Sequence, residues 1–166
     1  MKMDYGEIER LRDLAGMLPH IRAHCDAVAN KAVELARRLN AHGYKLDIDL
    51  IDCGARLHDI MRLEANHARA GADFLRSQGH YAVAEVVERH MRLPKDESSP
   101  LDECALVFFV DKIMREDELV DVHTRYEHAL NMYAADTPGG QSVRRNMNTA
   151  LCIQRKIEEV LNCEFE

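Results

Sequence analysis

Apolar side chains recur every three or four positions along most of this chain, which is the spacing of one buried helix face. Proline and glycine interrupt this pattern at intervals, and no segment alternates strictly between apolar and polar residues. The pattern predicts helices over about 7–17, 21–40, 49–59, 67–78, 81–91, 101–115, 118–134 and 141–162. The chain is therefore predicted to be all-α, a bundle of about seven to eight helices without strands.

Several predicted apolar faces carry a polar residue. His24, His58 and His90 each share a face with apolar residues, and Asp111 follows the apolar run 105–110. A single buried histidine usually forms a hydrogen bond within the core. An ionised aspartate is different, because its burial costs several kcal/mol unless a cation or good donors compensate it. Polar residues from separate helices therefore favour a common metal ion.

The interpretation of Asp59 and His67 depends on their positions at the ends of predicted helices. His58 and Asp59 are adjacent, and neighbouring residues on a helix point about 100° apart. At the end of the third predicted helix both can face one target, although Asp59 taken alone is more typical of a solvated helix end. His67 begins the fourth predicted helix, where binding a ligand and capping or packing are equally open interpretations.

Composition narrows the class of protein. The 166 residues are 46% hydrophobic, which suits one domain with one core. The net charge of −7 and the lack of basic runs argue against a nucleic-acid polymer as partner. The five cysteines form no CxxC pair, which predicts a reduced, cytoplasmic protein. No apolar run approaches ~18 residues, so neither a membrane span nor a signal peptide is expected.

The order His24, His58-Asp59, Asp111 resembles the H…HD…D signature of the HD superfamily of metal-dependent phosphohydrolases. The flanking sequences agree with the family's patterns H-x-x-x-V-A-x-x-A, A-x-L-H-D-I, H-A-x-x-G-A and A-D-K-I/L. These matches lie at residues 24–32, 55–60, 67–72 and 110–113. The resemblance spans about residues 21–131, and four motifs in order with matching flanks make it specific.

The resemblance implies an all-helical bundle, here one HD domain over 1–166 with C-terminal helices at 118–162 packed on its core. It implies one or two divalent ions (Fe, Mn, Zn or Mg). The implied metal ligands are His24, His58, Asp59 and Asp111, with His67 and His90 binding a second metal or the substrate phosphate. The implied activity is attack of metal-activated water on the phosphorus of a small phosphoester, such as a nucleotide.

Catalytic and substrate-binding roles are assigned to charged residues near the ligands. Asp59 is expected to accept a proton or to bind metal, and Lys112 and Arg62 to stabilise phosphoryl charge. Arg115 is a third candidate for substrate binding. The sequence His58-Asp59-Ile60-Met61-Arg62 departs from the family's common H-D-I-G-K, which leaves the substrate side of the site open. No GYP motif follows, which argues against the cyclic-di-GMP branch.

Three other functions remain open. A regulatory HD module would bind metal or nucleotide without turnover, and a di-iron oxygenase would need two redox-active ions. A plain helical interaction domain would leave Asp111 buried without compensation. The apolar residues of the helices over 120–162 fit either a closed core or the surface of a homodimer.

Overall fold

A computed structural model describes residues 3–94 and 99–163 of the chain. Its helices are α1 (Tyr5–Leu14), α2 (Pro19–Ala41), α3 (Ile48–Leu57), α4 (His67–Ser77), α5 (Tyr81–Arg89), α6 (Glu103–Lys112), α7 (Val122–Met132) and α8 (Pro138–Leu161). Two short strands, β1 (Met114–Arg115) and β2 (Glu118–Leu119), lie between α6 and α7. The prediction of an all-helical bundle of seven to eight helices is confirmed for the described residues.

Local signals account for most helix ends. Asp47 precedes α3 and accepts a hydrogen bond from the backbone N–H of Leu50 at 3.0 Å. Gly43 follows α2 with φ +96°, a left-handed conformation that glycine adopts without steric cost. Helix α6 starts later than the predicted Pro100 or Leu101, because the Asp102 carboxylate caps Ala105 at 2.8 Å.

The predicted helices over 101–115 and 118–134 are wrong where they adjoin, because residues 114–119 form a short hairpin and not helix. Helix α6 ends at Lys112, and β1 pairs with β2 in an antiparallel hairpin whose turn holds Glu116 at φ +57°. Ile113 and Met114 remain buried after the helix has ended. The apolar pattern therefore continues through the break, which explains why periodicity did not reveal the hairpin.

Helix α6 forms the centre of the bundle and is buried from Cys104 to Lys112. It packs against α2, α3, α5 and α8, so its last residues meet side chains from several helices. Helix α3 approaches α5 closely at Gly54, where a β-carbon would lie 2.5 Å from Cγ1 of Val86. This close packing brings the ends of α3 and α5 together.

Helix α1 is attached to α2 and α3 by a buried guanidinium. Arg12 is 1% exposed, and its Nη2 lies 2.7 Å from Oδ1 of Asp26 and 3.0 Å from the carbonyl oxygen of Arg56. Nη1 of Arg56 also donates to Oδ1 of Asp26 at 2.7 Å. A buried guanidinium is costly unless it is paired, so these bonds from Nη2 of Arg12 hold α1 against α2 and α3.

The five cysteines are all free thiols, as expected from their spacing. Within residues 3–94 and 99–163, none of the helices combines the length and apolar surface that a membrane crossing requires.

Candidate metal centre

His24 on α2 faces the turn of the hairpin on one side and α6 on the other. Its Nδ1 lies 2.7 Å from the carbonyl oxygen of Glu116, and its Nε2 lies 3.2 Å from Oδ1 of Asp111. A carbonyl oxygen can only accept, so Nδ1 carries the proton and donates it to Glu116. The free nitrogen, Nε2, is thereby directed at the carboxylate.

His58 and Asp59 lie in the turn that follows α3, so both side chains face inward. His58 is fully buried, and its Nδ1 donates to the carbonyl oxygen of Ala55 at 2.7 Å. Its Nε2 lies 3.5 Å from Oδ1 of Asp111 and 3.6 Å from Oδ2 of Asp59. Among the described residues this Nε2 is buried without a hydrogen-bond partner.

His67, the first residue of α4, and His90, the residue after α5, approach the other oxygen of Asp59. Their Nε2 atoms lie 3.2 Å and 3.4 Å from Oδ1 of Asp59, and 3.2 Å from each other. Nδ1 of His90 donates to the carbonyl oxygen of Val87 at 2.6 Å. Asp59 therefore connects His58 on one side with His67 and His90 on the other.

Asp111 has a different partner on each oxygen. Oδ1 faces His24 and His58, while Oδ2 accepts a hydrogen bond from Nζ of Lys112 at 2.6 Å. Nζ of Lys112 also donates to the carbonyl oxygen of His90 at 3.2 Å. Lys112 is 5% exposed, so its charge is compensated inside the protein by Asp111.

The pKa values in this cluster follow from burial and close charges. Burial raises the pKa of Asp111, but the charge of Lys112 and the contacts with His24 and His58 lower it well below its usual range. Burial acts likewise on Asp59, where the contacts of its carboxylate with His67 and His90 outweigh burial and lower the pKa. Burial lowers the pKa of His90 to about 4. At neutral pH these carboxylates are charged and His90 is neutral, which are the forms that bind metal. His58 differs: burial lowers its pKa, but contacts with Cys25 and Asp111 outweigh burial and raise the pKa well above its usual range, so a metal ion must displace a proton from it.

The donor atoms form two groups that share Asp59. His24, His58 and Asp59 make one group and Asp59, His67 and His90 the other, each with ligand atoms within 4.8 Å of one another. Three of the imidazoles donate their Nδ1 proton to backbone carbonyls, so each of these rings, when neutral, presents Nε2 as an acceptor to another acceptor. Such a cluster is stable only with extra protons or with a cation between the acceptors.

The distances between the Nε2 atoms and the carboxylate oxygens favour a cation over extra protons. Ligands at about 2.1 Å from one ion lie roughly 3.0–3.4 Å apart, and the Nε2–oxygen distances here are 3.2–3.6 Å. Protonating several buried imidazoles would instead place like charges together. The residues therefore fit divalent metal binding, and a set of imidazole and carboxylate donors suits Fe, Mn and Zn.

Comparison with known proteins supports the same conclusion. The sequence profile of the HD domain matches residues 21–116, which are 96 of the 166 residues. The chain belongs to the HD domain family. HD domain proteins are generally hydrolases that bind divalent metals. The cluster of His and Asp side chains described above could bind such an ion.

Two relatives match part of this HD domain chain. It is 39% identical over 72 residues to an uncharacterized protein of Methanocaldococcus jannaschii, covering 41% of this chain and 43% of that protein. It is 38% identical over 80 residues to a tRNA (cytidine(56)-2'-O)-methyltransferase of Thermoplasma volcanium, covering 46% of this chain and 22% of that enzyme. The chain thus spans less than half the length of either relative. No solved structure matches it.

The two arginines predicted to bind substrate, Arg62 and Arg115, lie at different distances from the cluster of proposed metal ligands. Nε of Arg62 is 3.6 Å from Oδ2 of Asp59, its Nη1 is 3.3 Å from Nε2 of His67, and its side chain is 49% exposed. Arg62 can therefore meet both the centre and a ligand from solvent. Arg115 instead donates to the carbonyl oxygen of Thr124 on α7 at 3.1 Å, and the structure does not bring it to the centre.

Sequence reasoning missed the groups that orient the imidazoles. The acceptors are backbone carbonyls of Ala55, Val87 and Glu116, which any residue type provides. Cys25 was also missed, although its Sγ lies 3.5 Å from Nδ1 of His58. Its position one residue after His24 was the only available signal. The backbone carbonyls give no signal in the sequence, because tertiary packing alone decides which carbonyl meets an imidazole.

Proposed function

We propose that this protein is a metal-dependent phosphohydrolase that cleaves a small phosphoester, such as a nucleotide. Two divalent ions are held, one by His24, His58, Asp59 and Asp111 and one by Asp59, His67 and His90. The observation that supports this most directly is the set of buried Nε2 atoms facing carboxylate oxygens, with Nε2 of His58 lacking any hydrogen-bond partner among the described residues. When bound, such ions lower the pKa of a water molecule and polarise a phosphoryl oxygen.

Three side chains near the proposed ions have different proposed roles. Both oxygens of Asp59 face basic side chains, so its proposed role is to join the two groups and not to accept a proton. Arg62 is the one predicted cation that contacts the centre and is also half exposed, so it binds the phosphoryl oxygens of the substrate. Lys112 is buried against Asp111, and its proposed role is to hold that ligand.

Hydrolysis breaks the P–O ester bond. The OH of water goes to phosphorus, and the remaining proton goes to the departing alcohol. The transition state spreads negative charge over the phosphoryl oxygens, and a guanidinium stabilises that charge with two parallel hydrogen bonds. Arg62 is long enough and exposed enough to supply these bonds from the solvent side of the centre.

The test begins with elemental analysis of purified protein, with about two transition-metal ions expected per chain. Hydrolysis is then measured with that metal on nucleoside phosphates, cyclic nucleotides, dinucleoside polyphosphates and a nitrophenyl phosphate. His58→Ala and Asp59→Ala are expected to lower kcat/KM by roughly 100-fold or more, since even residues that orient metal ligands contribute 10–100-fold.

His42→Ala is the matched control, because His42 is exposed and its Nδ1 lies 2.9 Å from the carbonyl oxygen of Arg38 on the same helix turn, away from the metal ligands. It is expected to keep both metal and activity. Full activity in the His58 and Asp59 variants would refute the proposal. Nucleotide binding without turnover in the metal-loaded protein would instead support a regulatory module.

A further inference from the structure

A cavity of about 120 Å³ lies beside the metal centre. Three segments form it: residues 15–18 between α1 and α2, Ile21 on α2, and residues 60–64 directly after Asp59. Arg62 lines the cavity and also contacts Asp59 and His67. A molecule bound against Arg62 therefore has the metal centre on one side and the cavity on the other.

The cavity wall is part apolar and part polar, and Arg62 and Glu64 are its charged side chains. Met17, Ile21 and Ile60 are buried, while Leu18 and Leu63 are 39% and 76% exposed at its rim. Leucines this exposed beside a cavity leave apolar surface in water, and covering that surface with an apolar group is favourable. The apolar part of the wall is therefore suited to the organic part of a ligand, while Arg62 is the lining residue that suits its phosphate.

The turn between α1 and α2 leaves this space open. Gly16 has φ +66°, where residues with side chains are strained, and a β-carbon built there would meet no described atom within 4 Å. The glycine permits the tight turn and adds no side chain to the wall. Ala15 beside it also carries only a methyl group toward the cavity.

The volume limits what can enter. An engineered protein cavity of about 150 Å³ holds one benzene molecule. A cavity of about 120 Å³ with an accessible rim thus has room for a single six-membered ring, and a fused, two-ring system would extend beyond the rim.

We propose that this cavity binds one flat six-membered ring in the alcohol part of the substrate, with Arg62 between that ring and the phosphoryl group. The ligand class is a phosphoester that carries a phenyl-like or pyrimidine-like ring. The phosphoester part of this inference rests on the proposed function, whereas the ring site rests on the cavity itself.

The experiment compares the binding of phenylphosphonate and methylphosphonate to the metal-loaded protein by calorimetry. Neither compound has an ester bond, so the measurement does not depend on turnover. Phenylphosphonate is expected to bind about tenfold more tightly or better, since its ring leaves water. Equal affinity for the two compounds, or binding of neither, would overturn the proposal.

Variants of cavity residues test whether the preference for the ring arises in this cavity. Ala15→Leu fills the cavity and is expected to remove most of the preference for the ring. The matched control is Ala41→Leu at the far end of α2, about 30 Å from Ile21 by the helical rise, which should leave that preference unchanged. Leu63→Ser, at an exposed rim position that does not endanger folding, should reduce the preference as well. An unchanged preference in both cavity variants would contradict the ring site.

Turnover of benzyl phosphate and ethyl phosphate, whose leaving groups are similarly basic, separates the two proposals. Cleavage of both esters at equal kcat/KM would support the hydrolase and refute the ring site. A ring preference in phosphonate binding without cleavage of any ester would support the ring site and refute the hydrolase.

Discussion

Nζ of Lys112 lies 2.6 Å from Oδ2 of Asp111, and both side chains are buried at the end of the central helix. This contact occupies one oxygen of the carboxylate and leaves Oδ1 facing His24 and His58. A residue predicted from the sequence as a contact for substrate phosphate thus lies against a proposed metal ligand.

Replacing Lys112 by methionine should strongly destabilise the metal-free protein. Removing one partner of a buried ion pair leaves an uncompensated charge and costs about 3–5 kcal/mol in the free energy of unfolding. Added metal should recover part of this loss, because a cation also compensates Asp111. Denaturant unfolding with and without metal measures both effects. Lys31→Met, which removes the more exposed pair with Glu34, should cost no more than about 1 kcal/mol.

The two ligand groups should be separable by mutation. Wild-type protein is expected to bind about two metal ions per chain, and His67→Ala or His24→Ala to leave about one, because each removes a ligand from only one group. Asp59→Ala should weaken both sites, since Asp59 belongs to both. Equilibrium dialysis with elemental analysis measures these numbers. A single ion bound by the wild type would contradict the assignment of two sites.

The hairpin turn should affect metal binding through His24. Glu116 has φ +57° and its carbonyl oxygen accepts the Nδ1 proton of His24. Valine is poorly tolerated at positive φ, so Glu116→Val should displace this carbonyl and weaken metal affinity roughly tenfold, as expected when an orienting partner is lost. Competition with a chelator measures the affinity. Glu118→Val, at an exposed position of β2, is the control and should leave it unchanged.

The packing of α3 on α5 should be intolerant of one added methyl group. Gly54→Ala would place a β-carbon 2.5 Å from Cγ1 and 2.9 Å from Cβ of Val86, and such overpacking costs about 1–3 kcal/mol. Val86→Ala should be destabilising alone, because it leaves a cavity. In the double variant each change relieves the other, so its loss of stability should be smaller than the sum of the single losses. Strict additivity would show that the two helices do not meet as described.

The sequence alone predicted the helical fold and its family because both depend on local order along the chain. Apolar periodicity marks the buried face of each helix, and the polar interruptions at His24, His58, His90 and Asp111 lie on those faces. The structure brings these four residues together with Asp59 and His67.

Tertiary packing decided the rest, since it depends on contacts between segments distant in sequence. Periodicity could not show that α6 ends before the hairpin, because Ile113 and Met114 stay buried whether or not the backbone is helical. It also could not distinguish Lys112, which lies against Asp111, from Arg62, which reaches solvent beside the centre. Both are single charges near a proposed ligand, and only the positions of the neighbouring helices determine which one is enclosed.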